Sequence, residues 1–172
     1  MNYFELFDLP AGLEIDLARL SAAYHTLQQQ YHPDRFAAAP EAERLAAMQQ
    51  AAEINAGYQT LKDPLKRAEY LLSTLGLDIR GEQQTMQDLE FLTRQLEWRE
   101  ELESIRESDD PLARLDQFGR QIRAEELALF AQLEKAVAGS QLAEAASLIR
   151  KLKFVRKLRD EMARLEDTLM DE

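Results

Sequence analysis

The chain has 172 residues, of which 45% are hydrophobic and 31% charged, with a formal net charge of -11 and no cysteine. This apolar content is typical of a folded, helix-rich protein rather than a disordered one, and the negative charge disfavours a nucleic-acid groove. The absence of cysteine excludes disulfides, thiolate nucleophiles and cysteine-ligated zinc or iron–sulfur sites within the chain.

The first predicted element is a short aromatic helix over residues 2–8, closed by a turn at Pro10. The second helix begins after Asp16, a suitable N-cap, and its apolar residues recur at three- and four-residue steps as far as Tyr31. It must end there, because His32 precedes a proline and is excluded from the α region.

The third helix is expected to open at Pro40 and to end at Asp63-Pro64, where a shorter fourth helix starts and runs to Gly76. The third helix has one apolar stripe that would face the second helix, so the two should form an antiparallel pair. The stripe consists of Ala47, Ala51, Ile54, Tyr58 and Leu61.

Residues 77–84, LDIRGEQQ, are polar and aperiodic, as expected of a linker. Three longer periodic segments follow, and the short breaks between them predict an up-down-up three-helix bundle. The segments cover about 85–107, 110–137 and 140–170. No strand pattern is present, so we expect an all-α protein with an N-terminal domain over 1–76 and a bundle over 85–172.

The motif His32-Pro33-Asp34 lies between the second and third helices, where a polar, proline-containing turn is expected anyway. Alone it is a weak signal. Its position is more specific, because a short aromatic helix precedes it and 53-EINAGYQTLKDPLKRAEY-70 follows on the partner helices. Together, residues 1–75 resemble the J domain of DnaJ-type co-chaperones.

This resemblance implies that the loop docks on the ATPase domain of a DnaK-type chaperone and triggers ATP hydrolysis there, so that no catalytic residue is expected in this chain. The chaperone-binding residues that it implies are Arg19, Tyr31, His32, Pro33, Asp34 and Arg35. J domains usually carry several basic residues on the second helix, whereas this one carries only Arg19 and His25. Electrostatic steering is therefore expected to be weak, or to involve a differently charged partner.

The segment 85–107 has two apolar faces. One comprises Phe91, Trp98, Leu102 and Ile105, and the other comprises Leu89, Leu92 and Leu96, bordered by Glu97 and Glu100. The second face either widens the core or forms an exposed partner site with an acidic edge. In the last helix, Phe154 is either a peripheral core residue or exposed. The segment 150-RKLKFVRKLR-159 of the same helix is either a solvated basic face or forms ion pairs with the acids of 85–107.

The segments 91-FLTRQLEWREELESI-105 and 151-KLKFVRKLRDEMARLEDTLMDE-172, together with 67-RAEYLLSTLGLD-78, are similar to the HscB family of co-chaperones in iron–sulfur cluster assembly. The resemblance implies that the bundle binds the scaffold protein IscU and delivers it to the specialised chaperone HscA. The implied scaffold-binding residues are Leu92, Leu96, Glu97, Glu100 and Phe154. Thr93 stands where a longer apolar residue is usual and Ser104 where an acid is usual, which leaves the edge of the patch open.

Two other functional classes remain open from the sequence: a general J-protein holdase for unfolded chains, and a purely structural helical assembly protein. An enzyme is not expected, because the glycines are too scattered for a phosphate loop. No cofactor or metal site is expected either, since His25 and His32 are a poor ligand pair. No apolar run reaches the roughly 18 residues of a membrane span and no basic leader is visible, so we expect a bacterial cytoplasmic protein.

Overall fold

A computed structural model describes residues 1–80 and 88–172 of the chain. These residues form seven α-helices and one short 3-10 helix with no strand, which confirms the all-α class. The chain divides into two compact units, Met1–Arg80 and Gly81–Glu172. No helix within the two described ranges is long and apolar enough to cross a bilayer.

The predicted linker over 77–84 is only partly described. Residues 77–80 belong to the first unit, and Ile79 is almost completely buried. Arg80 lies over the ring of Tyr70, with its guanidinium carbon 5.6 Å from the ring centroid. Residues 81–84 lie outside the described residues, and the independence of the domains over 1–76 and 85–172 stays a prediction.

The first unit contains four α-helices whose ends follow the local signals in the sequence: α1 (Tyr3–Leu6), α2 (Leu17–Gln30), α3 (Glu41–Lys62) and α4 (Pro64–Thr74). Asp16 caps α2, since its carboxylate accepts the backbone N–H groups of Ala18 and Arg19 at 3.0 and 3.1 Å. Asp63 caps α4 in the same way through Leu65 at 3.0 Å. Pro40 is the N-cap residue of α3 and lies just outside the helix.

The core of the first unit is centred on α3, against which α1, α2 and α4 all pack. Three members of the predicted stripe, Ala47, Ile54 and Leu61, are buried, while the other two are half-buried. Gly57 faces α1 at a close approach, because a Cβ atom there would lie only 2.9 Å from the ring of Tyr3. Any larger residue would therefore push α1 away from α3.

Arg67 of α4 is a buried cation that ties the first unit together. Its guanidinium donates hydrogen bonds to the backbone carbonyls of Leu13 and Leu61, both at 2.8 Å. It thereby satisfies an otherwise unpaired carbonyl in the last turn of α3 and fixes the loop before α2. Burial lowers the pKa of Arg67 from its ordinary value.

The second unit consists of α5 (Leu89–Arg106), α6 (Pro111–Ala138) and α7 (Leu142–Met170), which confirms the three predicted helices. Asp88 and Asp110 cap α5 and α6 by accepting backbone N–H groups in their first turns. The most extensive packing is between α6 and α7. The apolar residues that recur at helical spacing along α7 are buried except at the half-buried end, and they are Leu148, Leu152, Val155, Met162, Leu165 and Leu169.

Candidate functional site

His32 holds the loop between α2 and α3 in a defined conformation. The loop forms a 3-10 helix over Pro33–Phe36, and Nδ1 of His32 accepts the backbone N–H of Asp34 at 3.2 Å as its N-cap. The N–H of Arg35 donates to the carbonyl of His32 at 3.0 Å. Because Nδ1 is the acceptor, the neutral ring carries its proton on Nε2, which is the nitrogen available as a donor to a partner.

The capped loop presents the carboxylate of Asp34 to solvent. The Asp34 side chain is 93% exposed, and its Oδ2 lies 3.6 Å from Nδ1 of His32. Pro33 and Arg35 are exposed beside it, while Tyr31 is half-buried at the C-cap of α2. A carboxylate on a backbone fixed by proline and an N-cap is well suited to meet an arginine of another protein.

Arg19 lies at the other end of α2 from these residues. At about 1.5 Å per residue, it is roughly 20 Å from His32 along the helix. Its guanidinium donates to the carbonyl of Asp8 at 2.6 Å and lies 3.7 Å from the Asp8 carboxylate. The structure therefore places Arg19 against the turn after α1, where Asp8 has a φ of +54°, and its role in chaperone binding stays a prediction.

The two apolar faces of α5 differ in solvent exposure. Phe91, Trp98, Leu102 and Ile105 are at most 7% exposed and form the inner face. On the other face Leu89 is 77% and Leu96 is 66% exposed, and Leu92 is half-buried. The second face does not widen the core at Leu89 and Leu96, so that alternative is wrong for those two residues.

Polar residues surround this exposed face of α5. Glu97 and Glu100 are both exposed, as predicted for an acidic edge, and so are Thr93 and Ser104. The Ser104 hydroxyl donates to the carbonyl of Glu101 at 2.9 Å and accepts from Arg114 at 3.0 Å. Ser104 is therefore held against its own helix and the start of α6.

Phe154 of α7 lies at the border between the core and the surface. Its ring is half-buried, stacks on Trp98 with centroids 6.3 Å apart and meets Phe91 edge-on at 6.0 Å. The guanidinium of Arg99 lies 5.4 Å from the same ring centroid and forms an ion pair with Glu161. Phe154 is thus a peripheral core residue that also contributes to the surface between α5 and α7.

The basic residues of α7 form ion pairs with two different helices. Lys151 pairs with Asp88 at the start of α5 at 2.8 Å, and this hydrogen bond lowers the pKa of the Asp88 carboxyl. Arg159 pairs with Glu126 of α6 at 2.6 Å. The predicted pairing with the segment 85–107 is therefore present at Lys151, whereas Arg159 pairs with α6.

Both halves of the chain match families of known proteins. The family model of the DnaJ domain matches residues 2–70, and that of the HSCB C-terminal oligomerisation domain matches residues 87–163. Co-chaperone protein HscB homologues of Aeromonas hydrophila and Vibrio cholerae are each 52% identical, over 171 and 170 residues, which is 99% of this chain and of each relative. The solved structure of chaperone HscB from Vibrio cholerae has a TM-score of 0.89 at 50% identity, over 98% of this chain and 99% of that one. With a J domain followed by an HscB-type bundle, and similarity along nearly its whole length, the chain belongs to the HscB family of J-domain co-chaperones.

Proposed function

We propose that this co-chaperone binds the iron–sulfur scaffold protein IscU, delivers it to the specialised DnaK-type chaperone HscA and stimulates ATP hydrolysis by HscA. In this way it assists cluster assembly or transfer in the bacterial cytoplasm. The observation that carries the proposal is the apolar face of α5, which stays exposed at Leu96 and is bordered by Glu97 and Glu100. A bounded patch of this kind suits one dedicated partner.

In the proposed mechanism, the loop around His32 acts on HscA. His32 fixes the backbone before the chaperone arrives, so little ordering entropy is lost on docking, and Asp34 then meets an arginine of the chaperone. Tyr31, Pro33 and Arg35 would complete this contact, while Arg19 would add a separate one at the far end of α2. The hydrolytic residues belong to HscA, so this chain activates hydrolysis without catalysing it.

The bundle is the proposed scaffold-binding half. Leu92, Leu96 and Phe154 would form its apolar centre, because they lie on the exposed side of α5 and at the rim of α7. Glu97 and Glu100 would attract a basic surface of the scaffold and set its orientation, in a salt-sensitive way. Because these carboxylates lie at an exposed rim, we expect them to affect the association rate more than the final affinity.

The loop mechanism is tested by measuring ATP turnover by HscA with the purified co-chaperone. We expect His32→Gln and Asp34→Asn to abolish the stimulation while far-UV circular dichroism remains helical. His25→Gln, which changes the chain's other histidine, exposed on α2, is the matched control and should retain the stimulation. Full stimulation by both loop variants would remove the loop from the mechanism.

The separation of the two roles is tested by truncation. We expect residues 1–80 to fold alone and to give weak, scaffold-independent stimulation, and residues 85–172 to fold alone and to keep scaffold binding. The first fragment should end at Arg80 rather than at residue 76, because Ile79 is buried. Amide exchange typical of an unfolded chain in either half would contradict this division.

A general holdase is the alternative function. The described residues also expose apolar side chains on other helices, among them Leu45 and Met48, which are neighbours on α3, and Leu127 on α6. Some exposed apolar area of this kind is normal, because more than half of a folded protein's surface is apolar. A pull-down from cell extract separates the two functions. Recovery of one small scaffold and one chaperone supports the adaptor, whereas a broad range of clients supports the holdase.

A further inference from the structure

The outer face of α3 exposes a row of apolar side chains in the first half of the helix. Leu45 is 55% and Met48 is 62% exposed, and they lie three residues apart on one side of α3. Ala42 and Ala52 extend this side by about one turn in each direction and are exposed as well. These four residues are the α3 patch. Ile54, nine residues after Leu45 and therefore on the opposite side, is fully buried, so the patch points away from the core of the first unit.

The α3 patch lies in an unusually neutral stretch of the chain. Eight consecutive residues, 45-LAAMQQAA-52, carry no charge, although 31% of all residues are charged. The solvent-facing side of an amphipathic helix usually carries charged and polar residues. Some exposed apolar area is normal, but two large apolar side chains side by side in an uncharged run form a contiguous surface. A methionine in such a surface can adapt its shape to a partner.

The α3 patch lies close to the loop at His32. Helix α3 begins at Glu41, so Leu45 lies only about 6 Å along the helix axis from its first residue. The 3-10 helix Pro33–Phe36 of the loop packs against α3. A protein that binds the loop is therefore within reach of the patch.

Helix α2 offers such a partner little coulombic attraction. It contains no carboxylate, and its one arginine, Arg19, is held by Asp8 at the far end from the loop. His25 and Gln29 are exposed on the part of the helix nearer the loop. Because a neutral helix face adds little long-range attraction, affinity beyond that of the loop has to come from another contact.

We propose that the α3 patch is a second contact for the DnaK-type chaperone and that it binds an apolar surface of the chaperone beside the docked loop. The inference rests on the proposed function, because it takes HscA as the chaperone that the loop contacts. The two contacts have different tasks. The loop triggers hydrolysis, whereas the patch adds affinity by removing apolar surface from water.

The first test measures ATP turnover by HscA against the concentration of the full chain. Leu45→Ala/Met48→Ala should raise the concentration for half-maximal stimulation by about 5- to 50-fold. The maximal stimulation should stay close to that of wild type, because the loop is intact, and so should the melting temperature, because both side chains are exposed. An unchanged half-maximal concentration would overturn the proposal.

The bundle provides a matched control pair. Leu127 is 72% and Met170 is 67% exposed, so Leu127→Ala/Met170→Ala removes the same two side-chain types from the surface of the second unit. This variant should stimulate HscA like wild type at every concentration. If it raises the half-maximal concentration as much as Leu45→Ala/Met48→Ala does, the effect is not specific to α3 and the proposal is wrong.

A second measurement uses the wild-type sequence. Met48 and Met170 are similarly exposed, so a soluble paramagnetic probe should broaden the resonances of both isotope-labelled methyl groups. ATP-bound HscA should protect the methyl group of Met48 and leave that of Met170 accessible. If the Met48 methyl group stays accessible while His32→Gln abolishes stimulation, the proposed function stands and this inference fails. If the wild-type chain neither binds nor stimulates HscA, both fail.

Discussion

Leu96→Ala separates a binding surface from a hydrophobic core. Truncating a buried leucine typically costs about 2–5 kcal/mol of stability. Leu96 is 66% exposed, so it has only about a third of that packing to lose, and we expect a cost of about 1 kcal/mol. At the centre of an interface, the same truncation typically costs about 1–3 kcal/mol of binding, or about 5- to 150-fold in Kd.

The assay compares the free energy of unfolding with the affinity for IscU in the same variants. Leu102→Ala is the matched control, because Leu102 lies on the same helix but is only 7% exposed. It should lose about 2–5 kcal/mol of stability and keep its affinity under conditions where it is folded. The Leu96→Ala variant should instead keep most of its stability and bind IscU more weakly than wild type. If it unfolds as readily as Leu102→Ala, or binds IscU like wild type, the assignment of this face is wrong.

Three further predictions concern the first unit. Gly57→Ala should cost about 1–3 kcal/mol of stability and so lower the melting temperature, because the added Cβ would meet the ring of Tyr3 at 2.9 Å. Gly12→Ala should have little effect on the melting temperature. Arg67→Ala should cost about 2–4 kcal/mol in denaturant unfolding, because two backbone carbonyls lose their donor. A hydrogen bond from the Arg80 side chain lowers the pKa of Asp78 from 3.8 to about 2. The resulting stabilisation is present above about pH 4 and is lost as the pH falls towards 2. The free energy of unfolding of the Asp78→Asn variant should therefore depend less on pH across that range than that of wild type.

Local signals predicted the helices well. Asp16 and Asp63 cap helices through backbone groups only two or three residues away, so the relevant partners are contained in a short window of sequence. The buried stripe of α7 follows from the helical period alone. The loop at His32 was also recognisable, although its 3-10 conformation, with His32 as the cap, was not predicted.

Contacts between distant residues could not be predicted in this way. The bond from Arg67 to the carbonyl of Leu13 joins residues 54 positions apart, and the approach of Tyr3 to Gly57 also depends on how α1 packs on α3. Periodicity showed that α5 has two apolar faces, but it does not show which face neighbouring helices cover.

The position of α5 in the bundle explains how it can carry an exposed apolar face. It has 18 residues against 28 and 29 for α6 and α7, which form the most extensive contact of the bundle. Its flanks are held in part by ion pairs, from Arg94 to α6 and from Arg99 to α7, and partly exposed pairs contribute only about 0–1 kcal/mol each.

We therefore expect α5 to open locally at lower free energy than α6 and α7. Native-state hydrogen exchange should show its amides exchanging first within the bundle, and raised salt should widen the difference by screening the flanking pairs. Binding of the scaffold to the exposed face should slow exchange in α5 more than in the other two helices, because the ligand stabilises the closed form. Equal protection of α5 and α7 in the free protein would contradict this reasoning.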